Sequence, residues 1–155
     1  MSITYRIAKV ADIETIAKLS SELHSPPYTN DEDLTYEECV EIHTEEILDD
    51  DYAFFIAFSK DEAIGFSYVS YRREYVDGTD GDGTTGYLEG IYIKSDYNGR
   101  GIARILVDMC EDWSREKGCK EFASSCLIDN HDSLAFHLKI GFEETLRVIH
   151  FAKLL

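Results

Sequence analysis

Basic residues are scarce: 15 Lys and Arg stand against 31 Asp and Glu in 155 residues, for a formal net charge of −16 with histidine neutral. A phosphate array is held by Lys and Arg that neutralise it, so this balance argues against nucleic acid and anionic membranes as partners. It permits the capture of a cationic ligand, which an acidic surface concentrates. Proline is limited to two adjacent residues, at positions 26 and 27, and repeats and low-complexity tracts are absent. With no linker signal and a length that suits one core, a single domain over residues 1–155 is expected. Cysteine is present as Cys39, Cys110, Cys119 and Cys126, but without C-x-x-C spacing, so no metal site and no disulfide framework is expected. No apolar run is long enough to span a bilayer, and "MSITYRIAKV" lacks the basic-then-apolar layout of a secretory leader. The expected location is the cytoplasm.

What is present reads as alternating strands and helices. Residues 3–10 alternate loosely and suggest a first strand. Asp12 is placed to cap a helix running to about Leu23, with Ile13, Ile16, Ala17, Leu19, Ser20 and Leu23 on one face. The prolines in "HSPPYTNDED" stop it. Thr35 and Glu38 have capping-box spacing, which starts a second helix reaching about Leu48. Residues 31–51 hold eleven carboxylates and no Lys or Arg, a solvated face whose edge could flank a polycation. "YAFFIAF" and "AIGFSYVSYRR" form an antiparallel pair around "SKDE". The Asp- and Gly-rich loop "EYVDGTDGDGTTG" follows, without the frame that a calcium loop needs. A strand is expected from Gly86 to Ile93. A helix from Arg100 then carries Ile102, Ile105, Leu106, Met109, Cys110 and Trp113 as its stripe, closed by Gly118. "KEFASSC" is a short strand, Asn130 to Lys139 a short helix stopped by Gly141, and "GFEETLRVIHFAKLL" terminal strand material. The order β-α-α-β-β-β-α-β-α-β gives a mixed α/β sheet with one βαβ unit.

Chemistry concentrates in "YLEGIYIKSDYNGRGIAR", residues 87–104. A glycine-rich turn before a βαβ helix converges backbone N–H groups, and the helix N-terminus adds positive potential; together they suit an anion. Arg100 and Arg104 add charge, and Ala103 leaves room on the first turn. The Gly-Lys-Ser/Thr of a phosphate-binding P-loop is missing, and position 104 is Arg where a dinucleotide fingerprint needs glycine. Glu89 is the lone acid in an apolar strand. Read by itself, it is as readily an outward-facing strand residue as a functional one.

Asn98-Gly99-Arg100-Gly101-Ile102-Ala103 resembles the acetyl-CoA pyrophosphate loop of the GNAT acetyltransferase superfamily, Arg/Gln-x-x-Gly-x-Gly/Ala. Gly101 and Ala103 match, and Asn98 replaces Arg or Gln. A narrower resemblance joins "YVDGTD…GYLEGIYI", "NGRGIAR", "GCKEFASS" and "FHLKIGFEETLRV" to bacterial aminoglycoside 6′-N-acetyltransferases over roughly the C-terminal 85 residues.

The resemblance implies a GNAT fold, acetyl-CoA as co-substrate, no metal and a homodimer. It implies attack of an amine on the thioester in a ternary complex. Glu89 would bind the acceptor ammonium and take its proton. A bulge at Gly90 would free an N–H for the thioester oxygen, and Ile91, Tyr92 and Ile93 would pair with the pantetheine arm. Asn98 to Arg104 would hold the diphosphate, and Asn130 would contact the cofactor. His137, in place of the superfamily's frequent tyrosine, would protonate the leaving sulfur or hydrogen-bond the cofactor. Ser125 replaces an aspartate that faces aminoglycoside in these relatives; Tyr75, Asp77, Asp80 and Asp82 in the long loop are candidates to meet the acceptor instead. Two other functions stay open: acetylation of another cationic amine, such as a polyamine or a peptide N-terminus, and a CoA-binding module without turnover. A covalent route through Cys126, near His131 and His137 in sequence, is disfavoured because direct transfer needs no covalent enzyme.

Overall fold

A computed structural model describes residues 2–25 and 34–155. The proline stop and the start of the acidic stretch, residues 26–33, lie outside the described residues. Strands β1 (Ile3–Ile7), β2 (Tyr52–Ser59), β3 (Glu62–Arg72), β4 (Thr85–Ile93) and β5 (Glu121–Ala123) form one sheet in the order β1-β2-β3-β4-β5. All neighbours are antiparallel except β4 and β5, which run parallel through the crossover helix α3 (Ile102–Glu116). Helices α1 (Ile13–Leu23) and α2 (Tyr36–Ile47) precede β2, and α4 (His131–Lys139) follows β5.

Strand period divides the core in two. Phe54, Ile56, Phe66, Tyr68 and Tyr92 point to one face and meet Ile16 and Leu19 of α1. Ala53, Phe55, Val69, Leu88 and Ile93 point to the other and meet Ile102, Leu106, Val107 and Cys110 of α3. The buried stripe of α3 departs from expectation at one step: Ile105 is exposed, and Val107 faces the sheet. Burial pushes the Cys110 thiol up to about 12, so it is an inert core group.

Local signals act as read at α2, where Thr35 N–H donates to Glu38 (2.8 Å) and Glu38 N–H donates to Thr35 Oγ1 (3.2 Å). Asp12 serves differently: its carboxylate accepts from Lys9 N–H and from Arg6, so it fastens a 3-10 turn (Val10–Asp12) to β1. His43, buried on α2, joins the two helices, with Nε2 at 2.7 Å from Ser20 Oγ and Nδ1 at 2.8 Å from Glu46.

The expected last strand is absent. Residues 142–155 carry no helix or strand, and Ile149, Phe151 and Leu154 are 80%, 90% and 98% exposed. An alternating apolar segment becomes a strand only beside an edge that covers one of its faces. Among the described residues no strand of the sheet pairs with it.

Candidate active site

The turn before α3 is built around two left-handed glycines. Gly99 has φ +75 and Gly101, at the helix N-cap, has φ +78. Nothing lies within 4 Å of a Cβ built at either position, so the backbone approach is open. No side chain caps the helix and its first turn holds no acid. The orphan N–H groups of the first turn therefore face the opening with their positive potential uncancelled. Arg100 stacks over Tyr97 (5.1 Å) and donates to the Asp96 carbonyl, while Arg104 sits 3.5 Å from Asp108. Asn98 ends the 3-10 turn Ser95–Tyr97 in an extended conformation, one residue before the glycines. These features fit a diphosphate held mainly by main-chain donors.

Strands β4 and β5 share only three register pairs, Thr85 to Tyr87 with Glu121 to Ala123. Beyond Tyr87, β4 continues to Ile93 without a β5 partner, leaving an open strand edge that leads to the glycine turn. The Ser124 hydroxyl bridges the mouth of this split, donating to the Leu88 carbonyl at 3.3 Å. An extended arm with amide groups can add there as another strand would. Ile91 packs against the α3 side and Ile93 is buried in it. Tyr92 turns the other way, its hydroxyl donating to Glu22 (2.7 Å). The side chains of residues 91–93 are thus committed to the core and to α1, which leaves the backbone for any contact along the edge.

The bulge is real, and its extra residue is Glu89. Tyr68 pairs with Gly90, whereas Val69 pairs with Leu88. Insertion of one residue turns Glu89 and Gly90 toward the same face of the sheet, the one covered by α1 and α2. That brings Glu89 beside Ser70 and Arg72 of β3. Gly90 is required for space rather than for backbone freedom: an added Cβ would lie 2.6 Å from the Tyr68 ring. Tyr68 cannot retreat, since it stacks on Phe54 (4.8 Å) and Phe66 (5.9 Å) with His43 edge-on at 5.3 Å. Gly90→Ala is therefore expected to destabilise the protein by about 1–3 kcal/mol, as overpacking does, and to displace Glu89. Thermal melts and kcat measured together check this; a variant with unchanged Tm and kcat refutes it.

The Glu89 carboxylate is about one-fifth exposed and is held through one oxygen. Oε1 accepts from Ser70 Oγ and from Arg72 Nη2, both at 2.7 Å. The Arg72 guanidinium lies 3.8 Å above the Tyr87 ring, and the Tyr87 hydroxyl is 2.5 Å from Ser125 Oγ. Burial, and then the carboxylates of Glu46, Glu89 and Asp49, raise the Tyr52 phenol above its usual range, which marks an acidic corner where α2 and β2 meet the cleft.

The other expected residues are distributed unevenly. Asn130 caps α4, its Oδ1 accepting from Ser133 N–H at 3.1 Å. His137 Nδ1 lies 2.6 Å from the Ser133 carbonyl, so that nitrogen carries a proton; Nε2 lies 2.9 Å from Ser124 Oγ. Through this contact with Ser124, His137 ties α4 to the mouth of the split. Tyr75 is exposed and lies against Gly81 within its own loop. Asp77 lines a groove beside β5, and Asp80 uses its N–H on Glu121. Among the described residues neither aspartate touches the Glu89 cluster. His137 contacts Ser133 and Ser124 rather than Cys126, and Ser20, beside His43 and Glu46, is fully buried. Ser124, 2.9 Å from His137 Nε2, is a hydroxyl with an adjacent base at the mouth of the split, but direct attack by an amine does not need it. Among the described residues no three His, Cys, Asp or Glu gather as a metal site would require.

Sequence reasoning did not single out Ser70, Arg72, Tyr87 or Ser124. Residues 70 and 72 share a strand face by their spacing of two, but only the bulged register reveals that Glu89 faces them.

Comparison with known proteins agrees with this geometry. The pattern of the acetyltransferase (GNAT) family matches residues 13–142. Aminoglycoside N(6′)-acetyltransferase type 1 of Salmonella typhimurium is 42% identical over 110 residues, covering 70% of this chain and 75% of the relative. The enzyme of the same name from Stenotrophomonas maltophilia is 38% identical over 109 residues, covering 70% and 71%. Among solved structures, AAC(6′)-Iy in complex with the bisubstrate analog CoA-S-monomethyl-acetylneamine aligns over 100% of both chains, with TM-score 0.84 and 32% identity. Aminoglycoside 6′-N-acetyltransferase AAC(6′)-IG from Acinetobacter haemolyticus aligns over 100% of this chain and 99% of its own, with TM-score 0.86 and 30% identity.

Proposed function

The chain belongs to the acetyltransferase (GNAT) family, and we propose that it transfers the acetyl group of acetyl-CoA to the 6′-amine of aminoglycosides. The observation that carries this reading is one continuous path. A main-chain anion cradle before α3 leads along the open edge of β4 to the bulged carboxylate of Glu89, held by Ser70 and Arg72. Relatives named for this activity align over most of the chain.

Acetyl-CoA supplies the activated acyl group; the chain's residues bind and orient it. The glycine turn from Asn98 and the first turn of α3, through Ile102, Ala103 and Arg104, hold the diphosphate, and Asn130 makes a further contact with the cofactor. The backbone from Gly90 to Ile93 holds the arm, and a donor at the bulge polarises the thioester oxygen. Glu89 attracts the acceptor ammonium and accepts its proton; free amines of this kind titrate at about 8 to 10. The freed amine forms the C–N bond as the C–S bond breaks. The thiolate, from a thiol of pKa about 8.5, leaves without a strong acid. His137 acts through Ser124, holding the mouth of the split. Placing both substrates supplies most of the rate. Ser125 and Tyr87 offer the acceptor hydroxyl groups, and Tyr75 is exposed on the long loop.

CoA release is the test, with kanamycin and tobramycin beside spermidine, a short peptide and an aminoglycoside lacking the 6′-amine. Release confined to the 6′-amines supports the proposal. Turnover of spermidine or the peptide alone selects another cationic amine. Acetyl-CoA binding without release from any acceptor selects a non-catalytic module.

The same reading takes residues 1–155 as a single cytoplasmic domain acting as a homodimer, with neither nucleic acid nor membrane as partner. No helix among the described residues is long and apolar enough to cross a bilayer. The exposed apolar segment from Leu146 supports the dimer. β5 is an edge strand, bordered by a groove of about 530 Å3 whose lining carries Asp77, Glu111, Glu121 and Glu143 beside Arg115 and Lys120. Residues 146–155 contain Arg147, His150 and Lys153 and no acid. An apolar, basic arm entering this groove on a second copy covers an open edge and removes exposed hydrophobic surface. Deleting residues 146–155 is expected to convert a dimer to a monomer in light scattering. A monomeric full-length chain, or a dimer that survives the deletion, overturns this assignment.

A further inference from the structure

We propose that Arg72 is the positioning residue of Glu89: together with Ser70 and Tyr87 it fixes which carboxylate oxygen meets the acceptor. The inference rests on the acetyl-transfer reading of this site. Three contacts close a ring. Ser70, 3% exposed, donates its hydroxyl proton to Glu89 Oε1 at 2.7 Å. Arg72 Nη2 donates to the same oxygen at 2.7 Å, and Arg72 Nε donates to Ser70 Oγ at 3.4 Å. The guanidinium plane is supported 3.8 Å over Tyr87, whose hydroxyl is joined to Ser125 at 2.5 Å. Both hydrogen bonds to the carboxylate fall on Oε1. Oε2 takes none among the described residues and is the oxygen left for the acceptor.

The arrangement answers a problem that the bulge creates. Glu89 is the extra residue of β4 and has no register partner on β3, so the ladder does not fix its side chain. An acid that must meet an ammonium within hydrogen-bond reach needs a fixed orientation, and misplacement by about 1 Å can cost 10²-fold in rate. A planar, always-charged fork suits this better than lysine, because it binds carboxylate and stacks on an aromatic face at once. Arg73, the next residue and just past the end of β3, stacks on Tyr71 and pairs with Asp51 instead.

Arg72→Ala is expected to lower kcat ten- to hundredfold with little change in acetyl-CoA affinity or in Tm, because Arg72 is 41% exposed and packs no core. Arg72→Lys should recover only part of the loss. Millimolar ethylguanidinium should restore part of the kcat of Arg72→Ala, which a purely structural role does not predict. Arg73→Ala is the matched control and should retain kcat. A kcat of Arg72→Ala within twofold of wild type overturns the proposal, as does a loss explained by lower Tm or weaker acetyl-CoA binding. A readout independent of turnover separates failure of this inference from failure of the acetyl-transfer reading. Arg72 Nη resonances should be resolved in the nitrogen NMR spectrum of the wild type and collapse in Glu89→Gln. A freely rotating Arg72 in the wild type shows that no clamp exists, whatever the enzyme acetylates.

Discussion

Glu89→Gln is expected to lower kcat for 6′-amino aminoglycosides by about 10²–10⁴-fold, the range a positioned general base contributes. The substitution keeps the shape of the side chain and one carbonyl oxygen that can still accept from Ser70. It removes the charge. At about 4 Å, a carboxylate attracts an ammonium by about 4 kcal/mol at an effective dielectric near 20, so the acceptor loses both its anchor and the group that takes its proton. The anion cradle lies beyond the far end of β4, at Gly99 to Ala103, and contains no part of this change. Calorimetry should therefore give acetyl-CoA affinity within about twofold of wild type, while steady-state CoA release collapses; the tenfold conversion is about 1.4 kcal/mol. Equal turnover by the two proteins removes Glu89 from the chemistry.

The second large effect falls on the coenzyme. Gly101→Val should weaken acetyl-CoA binding ten- to hundredfold. The backbone there has φ +78 and the surrounding space is open, so the obstacle is conformational rather than a collision. A β-branched residue held at positive φ costs about 1–3 kcal/mol. The chain escapes that cost by rotating the peptide and scattering the N–H groups of the first turn of α3. Gly118, at the opposite end of the same helix with φ +85, supplies the control: Gly118→Ala should reduce Tm and leave acetyl-CoA affinity alone. If calorimetry finds Gly101→Val unimpaired, the diphosphate is not held by these main-chain donors.

The parts of the site that rest on local chain geometry were legible in the residues. Two glycines spaced by one residue, followed by a helical apolar stripe, mark a tight turn that brings backbone N–H groups together at a helix start; the left-handed φ of both glycines and the absence of a side-chain cap came from the structure. Thr35 with Glu38 specifies the start of α2 in the same local way. Glu89 stood out because an acid in an apolar strand lacks an ordinary reason to be there. Its partners could not be read so, because Ser70 and Arg72 come from a strand whose register against β4 shifts at Tyr68 and Val69. Asp77 and Asp80 were attractive by charge and loop position, yet the loop carries Asp77 to the β5 groove. The last segment had strand chemistry, but among the described residues it pairs with no strand.

By itself, then, the sequence determined the helices and the first five strands, the glycine turn before α3 and the one acid that an apolar strand would not otherwise hold, since the signals for each lie within a few residues. Only the tertiary structure decided which oxygen of Glu89 stays available, that Gly90 must lack a side chain beneath Tyr68, and that residues 142–155 find no partner strand among the described residues. Those outcomes depend on register and packing between distant segments, where a single inserted residue reverses which face a side chain takes.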